Sequence, residues 1–429
     1  MFVKSSPPGS TGGKQRWQAH KTPTNKPDQE KPPHRTKVDK GPDFNMTVSR
    51  DDFLPSASLT ALRCRAALLK VIRRFFDDAG YFEVETPILS ADIVVDAWLE
   101  PFVTDFLSVP QQWSQSGQPR YLQTSPEFAM KRLLAAGATA IYQLGKVFRN
   151  GEVGQRHNPE FTMVEWYRVG DDHLAQMQFT EKLVQAVFNA AYEFGEPMKG
   201  VDVHFPRLYQ ESAPPDLIVS REWNKRRMNL ASRVATPEGF ERLTYDDAFE
   251  RFAGCRVLTS DMHDIRAIAQ RRELVPPPGL APDDRDGWLN WLLAELVEPN
   301  LGKDRPTFLY NYPASQAALA RTSLTGHGPD SKTSSVAERF ELYIDGVELC
   351  NGYHELTDPS ILRQRIVEQS TLRSEAGLRP LPHESRLLAA MEVGLPASSG
   401  NALGVDRLIM LALGASELAD VIAFPFDRA

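Results

Sequence analysis

FRNGEVGQRHNPEFTMVEWYR, residues 148–168, runs from a strand-like segment ending in Arg149, through a polar loop, into a second strand. Period-two alternation puts Phe161, Met163, Glu165 and Tyr167 on one face of that second strand. A carboxylate sharing a face with two aromatics is either paired or functional, because an unpaired buried charge is costly. Structural pairing of Glu165 with Arg149 or Arg168 is the plain alternative. A site holding a nucleoside triphosphate beside a cationic amino acid needs these residue types together: arginine and histidine toward phosphate, an aromatic face for the base, carboxylates for an amine.

A second stretch, FELYIDGVELCNGYHEL (residues 340–356), carries Asp345-Gly346, a strong signal for a two-residue hairpin turn. A tight turn there sets Tyr343 opposite Glu348, so Glu341 and Glu348 share a face as diagonal neighbours. Two such carboxylates repel unless a cation lies between them, and magnesium held by one or two carboxylates plus substrate phosphates meets that demand. Two solvated glutamates on an exposed strand are the alternative. The register argument stops at Gly352, where a bulge would flip parity, and so does not place Asn351 or Glu355. A third stretch, ALGVDR (residues 402–407), precedes an apolar helix. Gly404 permits close backbone approach, and Arg407 is a fixed cation suited to phosphate. Neither a Walker loop nor a Rossmann glycine fingerprint is present in the sequence.

Helical spacing of Leu59, Leu62, Ala66, Leu69, Ile72 and Phe76 predicts a helix ending near Gly80, with order beginning about Ser58. A short strand is expected over Tyr81–Glu85, a strand entering a helix over 121–135, strands over 141–149 and 161–168, and helices over 174–194 and 288–297. Residues 196–240, with Pro206, Pro214, Pro215 and Pro237, read as an irregular inserted excursion, and Thr322–Ser335 as a mobile loop. Residues 1–57 are rich in Pro, Gly, Lys, Ser and Thr and are expected to be a disordered basic tail. Residues 1–50 hold 10 Lys and Arg against 4 Asp and Glu, whereas the whole chain carries a net −7, so the remainder is acidic. An acidic body makes a poor general binder of nucleic acid. Cys64, Cys255 and Cys350 are scattered without metal-ligand spacing, and no apolar run has the length of a membrane span. The first twenty residues lack the apolar centre of a secretory signal. A cytoplasmic location is expected.

Taken in order, these segments resemble the catalytic domain of class II aminoacyl-tRNA synthetases, in the lysyl branch. Residues 83–87 (EVETP) look like class motif 1, residues 148–168 like motif 2, and Gly404–Arg407 like motif 3. Within the branch the chain is most similar to the elongation factor P–lysine ligases, truncated paralogues of lysyl-tRNA synthetase. The resemblance rests on TSPEFAMKRLL (124–134), HNPEFTMVEWYR (157–168), PTFLYNYPASQAALA (306–320), GVELCNGYHELTD (346–358) and NALGVDRLIMLALGASELADVIAF (401–424). It covers about residue 58 to the C-terminus, apart from 196–240 and roughly 322–335.

The resemblance implies an α+β fold, a mixed and mostly antiparallel sheet flanked by helices, in one catalytic domain over 58–429. It implies ATP as substrate, Mg2+, a homodimer, and elongation factor P as acceptor of (R)-β-lysine or lysine activated as an aminoacyl-adenylate. Carried over by position, Arg149 and Arg407 are catalytic. Arg149, Asn150, Gly151, His157, Asn158, Phe161, Glu348, Leu349, Gly404 and Arg407 bind ATP, with Phe161 stacked on adenine. Ser125, Pro126, Glu127, Glu165, Tyr167, Asn351, Glu355 and Ala402 surround the amino acid. Glu341 and Glu348 hold the metal. The family has Ala402 where the tRNA synthetases usually have glycine, which suits a β-amino acid. About 57 residues of tail-like composition precede the pattern, too few for an anticodon-binding barrel. The alternatives are a lysyl-tRNA synthetase-like enzyme charging tRNA and a catalytically silent paralogue acting as a regulatory binding subunit. One departure stands out: the family's Arg-Asn-Glu reads Arg149-Asn150-Gly151 here.

Overall fold

The computed structural model describes residues 53–109, 117–193, 221–325 and 334–429. The expected basic tail therefore lies almost wholly outside the described residues, as does the first part of the 196–240 segment. At the start of the catalytic body Ala57 is buried and Ser56 bonds to Ala423 O. α1 (Leu59–Asp78) begins where Ser58 Oγ accepts from Ala61 N, a cap that satisfies one orphan donor of the first turn. Its Leu68, Ile72 and Phe76 recur every fourth residue and are fully buried. Each such side chain contributes roughly 1.5–3 kcal/mol of burial.

The chain continues through β1 (Phe82–Glu83), β2 (Leu89–Ser90), β3 (Val103–Phe106) and β4 (Gln118–Leu122) into α2 (Glu127–Ala135), with Pro126 at the helix N-cap. β5 (Ala140–Phe148) and β6 (Glu160–Val169) flank the loop of the motif 2 stretch, and α3 (His173–Glu193) follows. α4 (Arg221–Val234) occupies the later part of the segment expected to be irregular. Trp223, Leu230 and Val234 of α4 pack into the main core, which is why the segment is helical despite its charges. Next come β7 (Glu241–Thr244), α5 (Tyr245–Ala253), α6 (Met262–Arg271), α7 (Arg285–Leu292), β8 (Thr307–Pro313) and β9 (Thr322–Thr325). β9 pairs with β10 (Ser334–Ile344), so both ends of the expected 322–335 loop are strand. β11 (Val347–His354), α8 (Pro359–Glu375), α9 (Arg386–Val393), β12 (Ser398–Gly404) and α10 (Val405–Leu413) complete the body.

The main sheet runs in the order β1-β5-β6-β12-β11-β10-β8-β7, with β9 beside β10. Its β1–β5 and β7–β8 pairs are parallel and the rest antiparallel. A small sheet, β2-β4-β3, stands apart. The α+β reading holds. α1, α3, α4 and α10 cover one face of the main sheet over its largest core. The other face is covered by α5–α7 at one end and by α2, α8 and α9 at the other. Polar residues of the central strands lie between those two helical groups. Among the described residues no helix is long and apolar enough to cross a membrane, and all three cysteines are free thiols.

Candidate active site

Neighbours across a sheet share a face. The register lines Gln143, Glu165, Ala402, Asn351 and Glu341 into one row across β5, β6, β12, β11 and β10. A parallel row holds Ile141, Tyr167, Gly400, Tyr353 and Arg339. The Asp345-Gly346 turn has both residues at positive φ, 56° and 71°, as a type I′ hairpin requires, and Tyr343 does face Glu348. One residue later the register shifts: Leu342 pairs with Cys350, leaving Leu349 unpaired. This bulge reverses parity. Glu348, Asn351 and Glu355 consequently all serve the same face, and Leu349 sends its side chain into the core.

At one end of the face three buried carboxylates gather, and two of them pair with one buried lysine. Lys131, 2% exposed, lies 2.5 Å from Glu127 and 2.6 Å from Glu355. Among the described residues Glu165 pairs with no arginine. It accepts from Ser125 Oγ at 2.8 Å and Tyr167 Oη at 2.6 Å. Asn351 Oδ1 accepts from Arg339 Nε. Burial, with the nearby Glu127 charge, pushes Glu165 up to about 7, and burial raises Glu355 against the pull of Lys131. Once Glu165 and Glu355 ionise, three carboxylates against one ammonium leave an excess of negative charge, suited to a ligand carrying amines. The Ala402 methyl stands in the row between Glu165 and Asn351.

Toward the other end stand the two arginines. Asp406 pairs with Arg65 at 2.5 Å and accepts from Thr162 N, fixing α10 against β6. Its neighbour Arg407 is thus left for the site, bonding Glu348 O at 2.8 Å and His157 Nε2 at 2.7 Å. Burial and the Arg407 charge hold His157 down to about 4, so the ring is a neutral acceptor that orients Arg407. His157, expected toward the outer phosphates, is in the ligand-free protein the partner of Arg407. Arg149 lies over the Phe161 ring at 5.2 Å and 3.8 Å from Glu152, its Nε buried without a partner among the described residues. Asn158 spends its amide on Glu160 O and Phe426 N. Asn150 donates its backbone N–H to Glu100 O. Gly151 turns the loop at φ 84°, where a glutamate would be strained, which accounts for the departure at this position. At Gly404 a Cβ would meet only Leu349 O at 3.8 Å and Arg407 Cδ at 3.9 Å. Nothing in the protein itself demands glycine there, so the open backbone at the start of α10, which has no side-chain cap, is available to an anion.

Between the two ends, Glu341 already has a protein cation. Its Oε1 accepts from Arg339 Nη2 at 2.5 Å, and its Oε2 from Tyr312 and Tyr343 hydroxyls at 2.6 Å each. These occupy three of the roughly four acceptor positions of a carboxylate. The repulsion expected between Glu341 and Glu348 is therefore relieved in part by Arg339. Glu298 adds a third carboxylate, raised to about 7 by burial and by Glu341. The donors of all three are oxygen, the kind that a hard divalent cation takes.

Lys131, Glu298 and Arg339 were missed from the sequence. Lys131 had a signal, being four residues after Glu127 among the buried Phe128, Met130 and Leu134. Glu298 and Arg339 had none.

The fold and this face define a class II synthetase catalytic domain, and residues 52–428 match the family of class II tRNA synthetases (D, K and N). The chain is 42% identical over 375 residues to the elongation factor P–(R)-β-lysine ligase of Enterobacter sp. (strain 638), spanning 87% of this chain and 98% of that protein. The ligases of the same name from Edwardsiella ictaluri (strain 93-146) and Salmonella paratyphi C (strain RKS4594) are 42% and 41% identical over the same shares. The chain belongs to the class II tRNA synthetase family, in the branch of the elongation factor P–lysine ligases.

Proposed function

We propose that this protein is an ATP-dependent ligase that activates (R)-β-lysine, or lysine, as an aminoacyl-adenylate and transfers it to a lysine side chain of elongation factor P. The observation that carries the reading is the buried Glu127–Glu165–Glu355 set with its single Lys131, with Arg149 at the end of β5 and the Arg407 side chain reaching Glu348 O toward the other end of the site. Ser125, with Pro126 setting the start of α2, holds Glu165 in place, while Glu127, Glu165, Tyr167, Asn351 and Glu355 receive the two amines. The substrate carboxylate then attacks the α-phosphorus, and the bond to pyrophosphate breaks. Arg149 stabilises charge on the α-phosphate, Arg407 on the outer phosphates, and Phe161 offers its ring to adenine. Asn150, Gly151, Asn158, Leu349 O and Gly404 shape the nucleotide cleft. Magnesium, held by Glu341 and Glu348 with Glu298 adjacent, would neutralise phosphate charge when bound. In the second step the acceptor amine attacks the activated carbonyl, an amide forms and AMP leaves. Homodimerisation fits the exposed Phe82, Ile88 and Leu89 along the motif 1 segment.

Pyrophosphate exchange with (R)-β-lysine and with α-lysine, followed by mass spectrometry of elongation factor P, tests the reading. Exchange favouring (R)-β-lysine and an added lysyl mass on the acceptor are expected. No exchange with either amino acid would leave a silent paralogue. Charging of total tRNA would redirect the acceptor.

A further inference from the structure

On the opposite face of the sheet, away from the adenylate site, three potential ligands meet. Glu338 of β10 and His354 of β11 lie one step beyond the Arg339–Tyr353 pair and so point to the α3 side. His173 is the first residue of α3. His354 Nδ1 is 2.6 Å from Glu338 Oε2, and His173 Nδ1 is 4.0 Å from the same oxygen. All three ligand atoms fall within 4.8 Å of one another.

An ion-pair network explains part of this cluster. Glu338 also receives Arg321 Nε at 3.2 Å, so Glu338 and His354 are accounted for without a ligand. His173 is not. The residue is 9% exposed, and its Nδ1 is buried with no hydrogen-bond partner among the described residues. An orphaned ring nitrogen costs about 1–3 kcal/mol of desolvation unless something fills the position it faces. What it faces is a carboxylate oxygen and a second imidazole.

We propose that His173, Glu338 and His354 bind a divalent d-block cation of the zinc type, with solvent in the fourth position. Two imidazoles and one carboxylate suit zinc-like ions rather than magnesium. Zinc–ligand bonds of about 2.0–2.2 Å at tetrahedral angles put ligand atoms roughly 3.3 Å apart. The 4.0 Å contact needs to close slightly and the 2.6 Å contact to open. Arg321, whose side chain is half exposed, is the group that swings out. Burial lowers the His173 pKa, favouring the neutral ring that ligates. A bound ion would fasten the start of α3 to β10 and β11. The three residues are far apart in sequence, so no spacing motif announces the site.

The test is a Co2+ titration of the chelator-treated, full-length protein with Mg2+ saturating. One equivalent with the visible absorption of tetrahedral Co2+ is expected, displaced by Zn2+. His173→Ala and His354→Ala should each weaken it by at least about tenfold, whereas Arg321→Ser should retain or tighten it. Thermal unfolding gives a second readout: Zn2+ should raise the midpoint of the unsubstituted protein but not of His173→Ala. Absence of tetrahedral Co2+ binding, or equal affinity in either histidine variant, overturns the proposal. A folded His173→Gln with undiminished binding does the same.

Discussion

Replacing Lys131 by methionine removes the one cation among three buried carboxylates while keeping most of the side chain's volume. Burial alone would strip the Lys131 proton, but Glu127 and Glu355, at 2.5 and 2.6 Å, outweigh it and keep the amine charged. Breaking a buried ion pair by deleting one partner costs about 3–5 kcal/mol, because the remaining charges stay buried. Against a total stability of about 5–15 kcal/mol that is a large fraction. A swap that conserves volume costs under about 1.5 kcal/mol in packing, so most of the loss is electrostatic and depends on pH. In the variant, Glu355, raised by burial and no longer lowered by Lys131, holds its proton more tightly folded than unfolded. The deficit is therefore small near its unfolded pKa of about 4.3 and grows as pH rises toward neutrality and beyond. Urea unfolding at pH 5 and pH 8 measures it. A loss of about 3–5 kcal/mol at pH 8, shrinking to about 1.5 kcal/mol or less at pH 5, is expected. An equal loss at both pH values would refute the charge argument and make Lys131 a packing residue.

Glu355→Gln should raise KM for the amino acid roughly 10–150-fold, the worth of a charged hydrogen bond, while leaving KM for ATP within a few-fold; equal changes would make Glu355 structural. Because folded Glu165 and Glu355 are raised, their ionised forms appear as pH rises through about 7 to 8, so KM for the diamino acid should fall from pH 6 to 8.5 in steady-state assays. By the same sign, they stabilise the ligand-free protein below their unfolded pKa and lose that contribution as pH rises through the folded values. Arg149→Ala should cut pyrophosphate exchange by about 10²–10³-fold, with no comparable loss of thermal stability, since its Nε is unpartnered in the ligand-free protein. Ala402→Gly removes the methyl between Glu165 and Asn351 and should change the ratio of kcat/KM for α-lysine over (R)-β-lysine by about 10–200-fold toward α-lysine; an unchanged ratio would take Ala402 out of specificity.

The hairpins were legible because alternation and Asp345-Gly346 are side-chain signals, and the register they predicted from Tyr343 to Glu348 is the register found. The bulge at Leu349 was not legible, since an unpaired backbone position among apolar residues leaves no mark in composition. That hid the placement of Asn351 and Glu355, which only the family resemblance supplied. α4 was masked by its arginines, although Trp223, Leu230 and Val234 had helical spacing on the face that packs. Lys131 was passed over because lysine is read by default as solvated, and the helix that buries it also carries Glu127. Arg339 was invisible for a different reason: its partners Tyr312, Glu341 and Asn351 come from three strands.

The unpaired Leu349 makes β11 tolerant of a change in length at this one position. Deleting that residue would leave Glu348 opposite Tyr343, Cys350 opposite Leu342 and Asn351 opposite Glu341, now as an uninterrupted ladder. Glu348, Asn351 and Glu355 would all stay on the substrate face, and only the packing of Leu349 in the core would be lost. A loss of three nucleotides in the gene would therefore cost stability and leave nucleotide binding and amino-acid recognition joined on one face.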